Sequence, residues 1–506
     1  MSTTSASRRV KSFGPIGWYT GKMMLLLAGV MAVPLVTSVI AVELPTVLDF
    51  VSGIGASASL GFFLMIVFRG HDGDLSWSQG MVVVALSWLA GAVLAAFPYY
   101  LSGHWSSYLD AMFDVMSGLT TTGIVLIQDL DHVSIGLNMW RHLLTWIGGQ
   151  GIVVLALSFL FRSMPGAFKL YVGEGKDVRL QPNVISTARA IWMISIIYLV
   201  IGTAAQGIVG IVIGQPPVTA FLHGMWVFMA AWSTGGFTPM SQNIIYYHSL
   251  LYEIVTIVFF LIGSLNFNLH WAVMTGNRKE LYRNLETATF AVTSTVLGAL
   301  AAFELGKQGV YPDAVSLFRR GYYIILSAHT TTGFASVYAR QIVLEWGPLA
   351  LFAASLAMLF GGSASSTAGG FKAMRIGIAF KAVAQDVTKL ILPESAVVVS
   401  KIHMGQDIVL EDKHVRPALE IIFLYVLSWF ILVAATVLAG YGLPGAVFES
   451  ASVIGNVGLS CGISTPAMPA FLKVLYILGM WVGRLEFMAV FVFVGRIARI
   501  VGGARA

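Results

Sequence analysis

FDVMSGLTTTG (113–123) decides how the rest of the chain is read, because it recurs. Its relatives are MWVFMAAWSTG (225–235), YYIILSAHTTTG (322–333) and FESASVIGNVG (448–458). Each places a bulky residue and a short amphipathic helix before a small-polar cluster that ends in glycine. The terminal glycines, Gly123, Gly235, Gly333 and Gly458, are spaced by 112, 98 and 125 residues. A unit repeated four times at such intervals is an architectural signal. The stretches near 108–127, 219–240, 314–337 and 445–462 are too short or too rich in Gly, Ser and Thr to cross a bilayer, and each lies between longer apolar runs. The unit is therefore span, pore loop, span.

The composition agrees with a bilayer as solvent. Of 506 residues, 57% are hydrophobic and 11% charged, too little polar surface for a soluble domain. Ten apolar runs have the length that spans a membrane as helix. They fall near 23–42, 47–68, 81–101, 140–161, 187–213, 250–274, 287–305, 346–380, 417–440 and 470–495. The first lacks a cleavage pattern followed by a soluble chain, so it reads as a retained span. The expected fold is an all-α polytopic membrane protein with four fused span–pore-loop–span repeats around one ion pore, plus two extra N-terminal transmembrane helices. Its parts are an N-terminal addition (1–80), repeats at 81–165, 185–276, 285–383 and 416–506, and a cytoplasmic loop at 384–415.

Charge sets the orientation. With the N-terminus in the cytoplasm, 23 of the 30 Lys and Arg residues fall on the cytoplasmic side and six outside, with Arg484 left within a span. That bias requires the four short stretches to enter and leave on the outer face, and puts both termini in the cytoplasm. The pI near 9.2 thus reflects membrane topology, and no nucleic-acid partner is expected. Acidic residues outnumber basic ones outside, among them Asp110, Asp114, Glu253 and Glu449. They read either as a vestibule that concentrates cations or as ordinary solvated loop charges. The lone Cys461 rules out an internal disulfide or a thiolate metal cluster.

Glycine and threonine at the end of a half-helix suit ion coordination. A desolvated cation needs its water oxygens replaced, and rings of backbone carbonyls can do it. Extended backbone at membrane depth survives only where it lines a cavity, and glycine reaches the necessary dihedrals. Thr120 to Thr122, Thr234 and Thr330 to Thr332 can supply hydroxyls behind the ring, and each half-helix aims its negative end at the ion. A single such cluster would read as a site of close helix packing; four in register read as a filter. Val457 stands where Thr122, Thr234 and Thr332 are expected, so the ring is asymmetric.

Below the filter, GGSASSTAGG (361–370) interrupts the eighth span. Unwound backbone there should line a wet cavity, as an intramembrane loop obstructing the pore under the third filter; a packing kink is the other reading. Arg484 has apolar flanks on both sides and is a functional candidate by default. It reads as an electrostatic barrier that anchors the loop through carbonyls, or as a structural ion pair. Glu486, two residues on, does not share its helix face. His329 is a packed pore-helix residue or a proton relay. VGEGK (172–176) is not a phosphate loop, and HExxH is absent. The loop 384–415 is a docking surface or a solvated connector.

These motifs taken together, TTTG (120–123), STGGF (233–237), TTTGF (330–334), GNVGLS (455–460), GGSASSTAGGFKAMR (361–375) and GRLE (483–486), resemble the Trk/Ktr/HKT superfamily of potassium transporters, in its TrkH-like branch. The resemblance covers nearly the whole chain, including the two added N-terminal spans. It implies potassium uptake across the cytoplasmic (inner) membrane, with potassium bound at Thr121, Thr122, Gly123, Ser233, Thr234, Gly235, Thr331, Thr332, Gly333, Asn456, Val457 and Gly458. It makes Gly361, Gly362, Ser363, Ser365, Ser366, Thr367, Gly369 and Gly370 the gate loop, and Arg484 the pore barrier. It further implies a homodimer with one pore per protomer and a cytosolic nucleotide-binding regulatory subunit of the TrkA type. No covalent cofactor is expected. Plant members that carry sodium have serine at the first filter glycine, so Gly123 points to potassium. A potassium–proton or potassium–sodium symporter on the same scaffold is the alternative. Intramembrane carboxylates would favour it, and the middles of the pore-lining segments lack them. A membrane enzyme would need a nucleophile–base set or metal cluster at matched depth, and none is evident.

Overall fold

The computed structural model describes residues 3–159, 167–173, 183–393 and 395–501. Arg162, Lys176, Arg179, Arg505, most of VGEGK and the end of the expected fourth span lie outside them. Among the described residues, six helices are long and apolar enough to cross a membrane, or eight if two bent pairs each count as one. Phe13–Ile40 and Leu44–Val67 form the N-terminal pair, packed on each other and on Trp77–Leu101. Val184–Val212, Leu285–Gln308 and Asp412–Leu438 open the second, third and fourth repeats. Their lipid-side residues, such as Val200, Val292 and Phe423, are exposed, as apolar solvent permits.

The four short stretches form the expected half-helices: Tyr108–Leu119, Pro217–Trp232, Tyr323–His329 and Leu443–Gly455. Sequence punctuates their starts. The Ser107 hydroxyl caps the first by accepting from the Asp110 N–H, and Pro lies in the first turn of the second and fourth, where a missing N–H costs nothing. A π-turn, Leu317–Tyr322, leads into the third.

The helix after each filter departs from a straight span. Ile135–Gln150 stops at Gly151, which has φ 102°. Leu250–Gly263 and Phe267–Met274 meet at 99°, and Ala470–Arg484 and Met488–Arg499 at 119°. Pro348–Phe360 is followed by twelve irregular residues before Ala373–Ile391. The expected continuous spans at 250–274 and 470–495 are thus broken; only the break at 361–370 was visible as composition. The second is broken where Ser264 ends one helix and Asn266 caps the next. The fourth turns at Glu486 and Phe487, with φ 50° and 70°. Close packing explains the depth at which three of these helices stop. A Cβ on Gly148, Gly263 or Gly483 would lie 1.9, 2.3 or 2.3 Å from the carbonyl oxygen of Leu119, Trp232 or Ile454, the last residue before the filter in each repeat.

The described residues of the 384–415 segment carry regular structure. The helix that follows the break runs to Ile391, and an antiparallel hairpin pairs Lys401–His403 with Asp407–Val409. Ile402 and Leu410 join Ile378 and Ala418 in a small separate core, so the hairpin rests on the helix that leaves the broken loop.

Candidate functional site

Backbone geometry puts the four filters in one register. Thr121, Thr234, Thr331 and Asn456 all take left-handed φ, 55°, 50°, 55° and 54°. The next residue donates its N–H five residues back into the half-helix in every case: Thr122 to Ser117, Gly235 to Ala230, Thr332 to Ser327 and Val457 to Ser452. Two residues after the left-handed position comes a glycine with φ between 63° and 105°: Gly123, Gly236, Gly333 and Gly458.

The second filter therefore needs a correction of one residue. Gly236, not Gly235, is the counterpart of Gly123, Gly333 and Gly458, and Gly235 occupies the place of Thr122, Thr332 and Val457. The reason is steric. A Cβ at Gly235 would lie 1.8 Å from Thr145 Oγ1, which is itself 2.8 Å from Ser233 Oγ. Thr145, from the first repeat, fills the space that a threonine side chain takes elsewhere. The shared phenylalanine in STGGF and TTTGF, Phe237 and Phe334, was the signal that fixes this alignment.

The four segments close into a ring. A Cβ at Gly123 would meet the Gly235 carbonyl oxygen at 2.6 Å, at Gly236 the Thr332 oxygen at 2.1 Å, at Gly333 the Val457 oxygen at 2.0 Å, and at Gly458 the Thr122 oxygen at 2.2 Å. Each repeat thus abuts the next, and the fourth abuts the first. Positive φ and backbone contact together leave no room for a side chain. Behind the ring, Thr120 Oγ1 bonds Thr122 Oγ1 and Thr330 Oγ1 bonds Thr332 Oγ1, both at 2.8 Å. Asn456 Nδ2 donates to Thr122 Oγ1 at 3.0 Å, tying the fourth repeat to the first.

The 361–370 loop lies against the left-handed residues of three filters. The Gly369 N–H donates to Thr331 Oγ1 at 2.8 Å. Thr367 Oγ1 is 3.2 Å from Thr234 Oγ1 and within 3.0 Å of the Trp232 and Gly263 carbonyls. A Cβ on Gly369 would come within 3.0 Å of Asn456 Cβ. Gly361, Gly362, Ser363, Ser365, Ser366 and Gly370 are all buried. The loop is held by hydrogen bonds where no bulky side chain could hold it: the Ser363 N–H donates to the Ser264 carbonyl, and the Ala364 N–H to Glu286 Oε1, each at 2.9 Å.

Arg484 ends its helix and reaches three carbonyls: Thr367 at 2.7 Å, Gly148 at 2.6 Å and Gly149 at 3.1 Å. Gly148 and Gly149 are in the last turn of the first repeat's broken helix, where carbonyls lack intrahelical partners and a cation is favoured. One guanidinium thus joins repeats 1 and 4 to the loop. The helix-face argument about Glu486 fails, because the helix has already ended. Glu486 instead pairs with Arg375, and lies 3.8 Å from Lys372. Lys372 also donates to the Ala368 carbonyl. Sequence reasoning missed Glu286, Lys372, Arg375 and the Gly148–Gly149 pair. Glu286, in the first turn of Leu285–Lys307 and outside the segment middles where no carboxylate is expected, is buried against the loop. His329 is packed, with Nε2 2.8 Å from Thr293 Oγ1 and its ring edge-on to Phe290.

Four of the outer acidic residues are buried or paired, whereas Asp129, Asp131, Asp313 and Glu345 are exposed. Asp110 pairs with Lys473 at 2.5 Å and Glu253 with Arg319 at 2.7 Å, while Asp114 and Glu449 are buried and accept backbone N–H groups.

Comparisons with known proteins agree with this architecture. A family model described as a cation transport protein, TrkH, matches residues 49–293 and 285–498. An uncharacterized cation transporter of Methanocaldococcus jannaschii is 31% identical over 420 residues, 83% of this chain and 82% of its own. The Trk system potassium uptake protein TrkH of Escherichia coli K12 is 26% identical over 492 residues, 94% of this chain and 96% of its own. The crystal structure of the potassium transporter TrkH from Vibrio parahaemolyticus has the same fold, with a TM-score of 0.80 at 24% identity, covering 95% of this chain and 98% of that one. This multi-pass membrane protein belongs to the TrkH family of cation transport proteins.

Proposed function

We propose that the chain is the pore-forming subunit of a potassium uptake system in the cytoplasmic (inner) membrane, with both termini in the cytoplasm. The observation that carries this is the closed ring of four left-handed filter segments with a hydrogen-bonded loop beneath it. Potassium would bind at the carbonyls and hydroxyls of Thr121 to Gly123, Ser233 to Gly236, Thr331 to Gly333 and Asn456 to Gly458. Carbonyl rings replace the ion's hydration, and the four half-helices direct their negative ends inward. The 361–370 loop is the gate, and Arg484 is both its anchor and a charge barrier. The activity is transport, not catalysis.

The protein works as a homodimer with one pore per protomer and takes a cytosolic nucleotide-binding subunit of the TrkA type. The hairpin of Lys401–His403 and Asp407–Val409, which rests on the helix leaving the gate loop, gives such a partner its lever. The relatives named as Trk potassium uptake proteins support this reading. Growth on limiting potassium of a strain lacking other uptake systems tests it: expression of the chain with its regulatory partner should restore growth and rubidium uptake. Failure of a membrane-inserted protein to do so overturns it. Glu286, buried against the gate, favours a second reading as a proton-coupled symporter. Uptake that continues at equal rates with the proton gradient collapsed and the potassium gradient kept would exclude that coupling.

A further inference from the structure

Asp114 and Glu449 occupy one structural position in two repeats, six residues before the first filter residue. Both are at most 1% exposed. Each reaches up the half-helix to the chain that has just left the filter. Asp114 Oδ1 accepts from the Leu126 N–H at 2.6 Å, and Oδ2 from the Ile127 N–H at 3.3 Å and Trp105 Nε1 at 2.7 Å. Glu449 accepts from the Cys461 N–H at 2.7 Å, the Ser464 N–H at 3.1 Å, the Ser460 hydroxyl at 2.8 Å and the Cys461 thiol at 3.2 Å. All these partners are donors, as an ionised carboxylate requires. Among the described residues neither carboxylate has a basic side chain within ion-pair distance.

Repeats 2 and 3 carry Val227 and Ile324 at the same position. Their exit strands are held by other groups. Arg141 donates to the Thr238 carbonyl at 3.0 Å, Ser327 Oγ to the Phe334 carbonyl at 2.8 Å, and Asn243 Oδ1 accepts from the Ala335 N–H at 3.0 Å. The two carboxylate-bearing repeats are neighbours, because Gly458 abuts the Thr122 carbonyl. One half of the ring is therefore braced by buried anions and the other half is not.

We propose that Asp114 and Glu449 are positioning residues for cation discrimination: they hold the outer ends of the first and fourth filters and set the spacing of the carbonyl ring there. A buried carboxylate that loses its N–H partners leaves charged and polar groups unsatisfied, so the exit strand cannot shift without cost. That cost resists collapse of the ring onto a smaller ion. Only these two repeats have the device, so discrimination is unequally shared around the ring.

The proposal rests on the potassium-filter reading. Its test uses the full-length protein reconstituted in liposomes, with the potassium-to-sodium permeability ratio taken from reversal potentials. Wild-type protein with no preference for potassium would overturn the filter reading and the proposal with it. Given a selective wild type, Glu449→Gln and Asp114→Asn keep shape but lose the all-acceptor carboxylate. Each should lower the ratio by about fivefold or more, the scale of one lost charge-assisted hydrogen bond, while Tm and membrane insertion hold. Ser460→Ala and Trp105→Phe remove one donor each and leave the carboxylates in place; each should lower the ratio by about two- to threefold. An unchanged ratio in the folded amide variants overturns the proposal. If the amide variants do not fold, the donor variants decide, and an unchanged ratio in both overturns it.

Discussion

Replacing Arg484 with alanine removes the group that the 361–370 loop, the first repeat and the fourth repeat share. The guanidinium donates to Thr367, Gly148 and Gly149. Only the Thr367 bond holds the loop itself. A hydrogen bond to a charged group contributes ~1.5–3 kcal/mol net. If that bond is made when the loop is closed and lost when it opens, its removal shifts the closed-to-open ratio by about 10- to 150-fold. A second effect has the same sign: a cation about 6 Å from the guanidinium is repelled by ~3 kcal/mol at an effective dielectric of about 20. Both raise flux in the absence of the regulatory partner. Arg484→Lys keeps the charge but cannot spread donors over three carbonyls, so its basal flux should lie between wild type and alanine. The assay is rubidium uptake into liposomes holding purified protein without the partner, with thermal unfolding and size-exclusion profiles as the check on folding. Basal flux that falls or stays at the wild-type level in a folded Arg484→Ala protein refutes the anchor and barrier assignments together.

Gly123→Ser forces the ring to shift, since a Cβ there would lie 2.6 Å from the Gly235 carbonyl oxygen, and should reduce the preference for potassium over sodium in paired uptake measurements, with flux lowered but not abolished. Gly333→Ser, at 2.0 Å, should abolish flux; equal effects at the two sites would count against the ring geometry. Deleting Ala364 to Ser366 removes the loop's bond to Glu286 and should give a pore that leaks potassium without the partner; flux that still requires the partner would move the gate elsewhere. The hairpin that pairs Lys401–His403 with Asp407–Val409 should respond to pH. His403 Nδ1 is 2.5 Å from Asp407 and Nε2 3.0 Å from Glu280. The Asp407 bond, then the Glu280 bond, raises the His403 pKa, and the His403 bond lowers that of Asp407. The raised imidazole contributes stability present below its unfolded value and lost as pH rises through its folded one. The depressed carboxylate contributes stability present above its unfolded value and lost as pH falls through its folded one. Docking is thus firmest between about pH 4 and about pH 6.5. Hydrogen exchange at amides 401–410 should quicken from pH 6 to pH 9 beyond the intrinsic rate; protection that stays level across that range would show that the apolar contacts of Ile402 and Leu410 hold the hairpin alone.

Most of the architecture was legible because the bilayer leaves few options. Long apolar runs and four small-polar clusters that end in glycine each report a constraint that acts locally. What escaped depends on partners distant in sequence. Phe237, matching Phe334, marks Gly236 as the filter glycine in the sequence; the physical reason lies 90 residues away, where Thr145 fills the side-chain space beside Gly235. The breaks at Ser264 and Glu486 carry no run of glycine, since the first is made by an asparagine cap and the second by two left-handed residues. Arg484 was visible as a basic residue deep in an expected span, but its three carbonyl partners come from two other repeats. The outer carboxylates looked alike in sequence, and only folding separates Asp110, which meets Lys473, from Asp114 and Glu449, which brace the filter exits.

The central claim is that the closed four-segment ring is the element that passes potassium and rejects sodium. The most direct measurement is the reversal potential of the purified protein in a planar bilayer, with potassium and sodium gradients imposed in opposite directions. The potential should follow the potassium gradient and stay near the same value when the sodium gradient is reversed. A potential that follows both ions equally, or current that vanishes unless a proton gradient is present, would contradict the account.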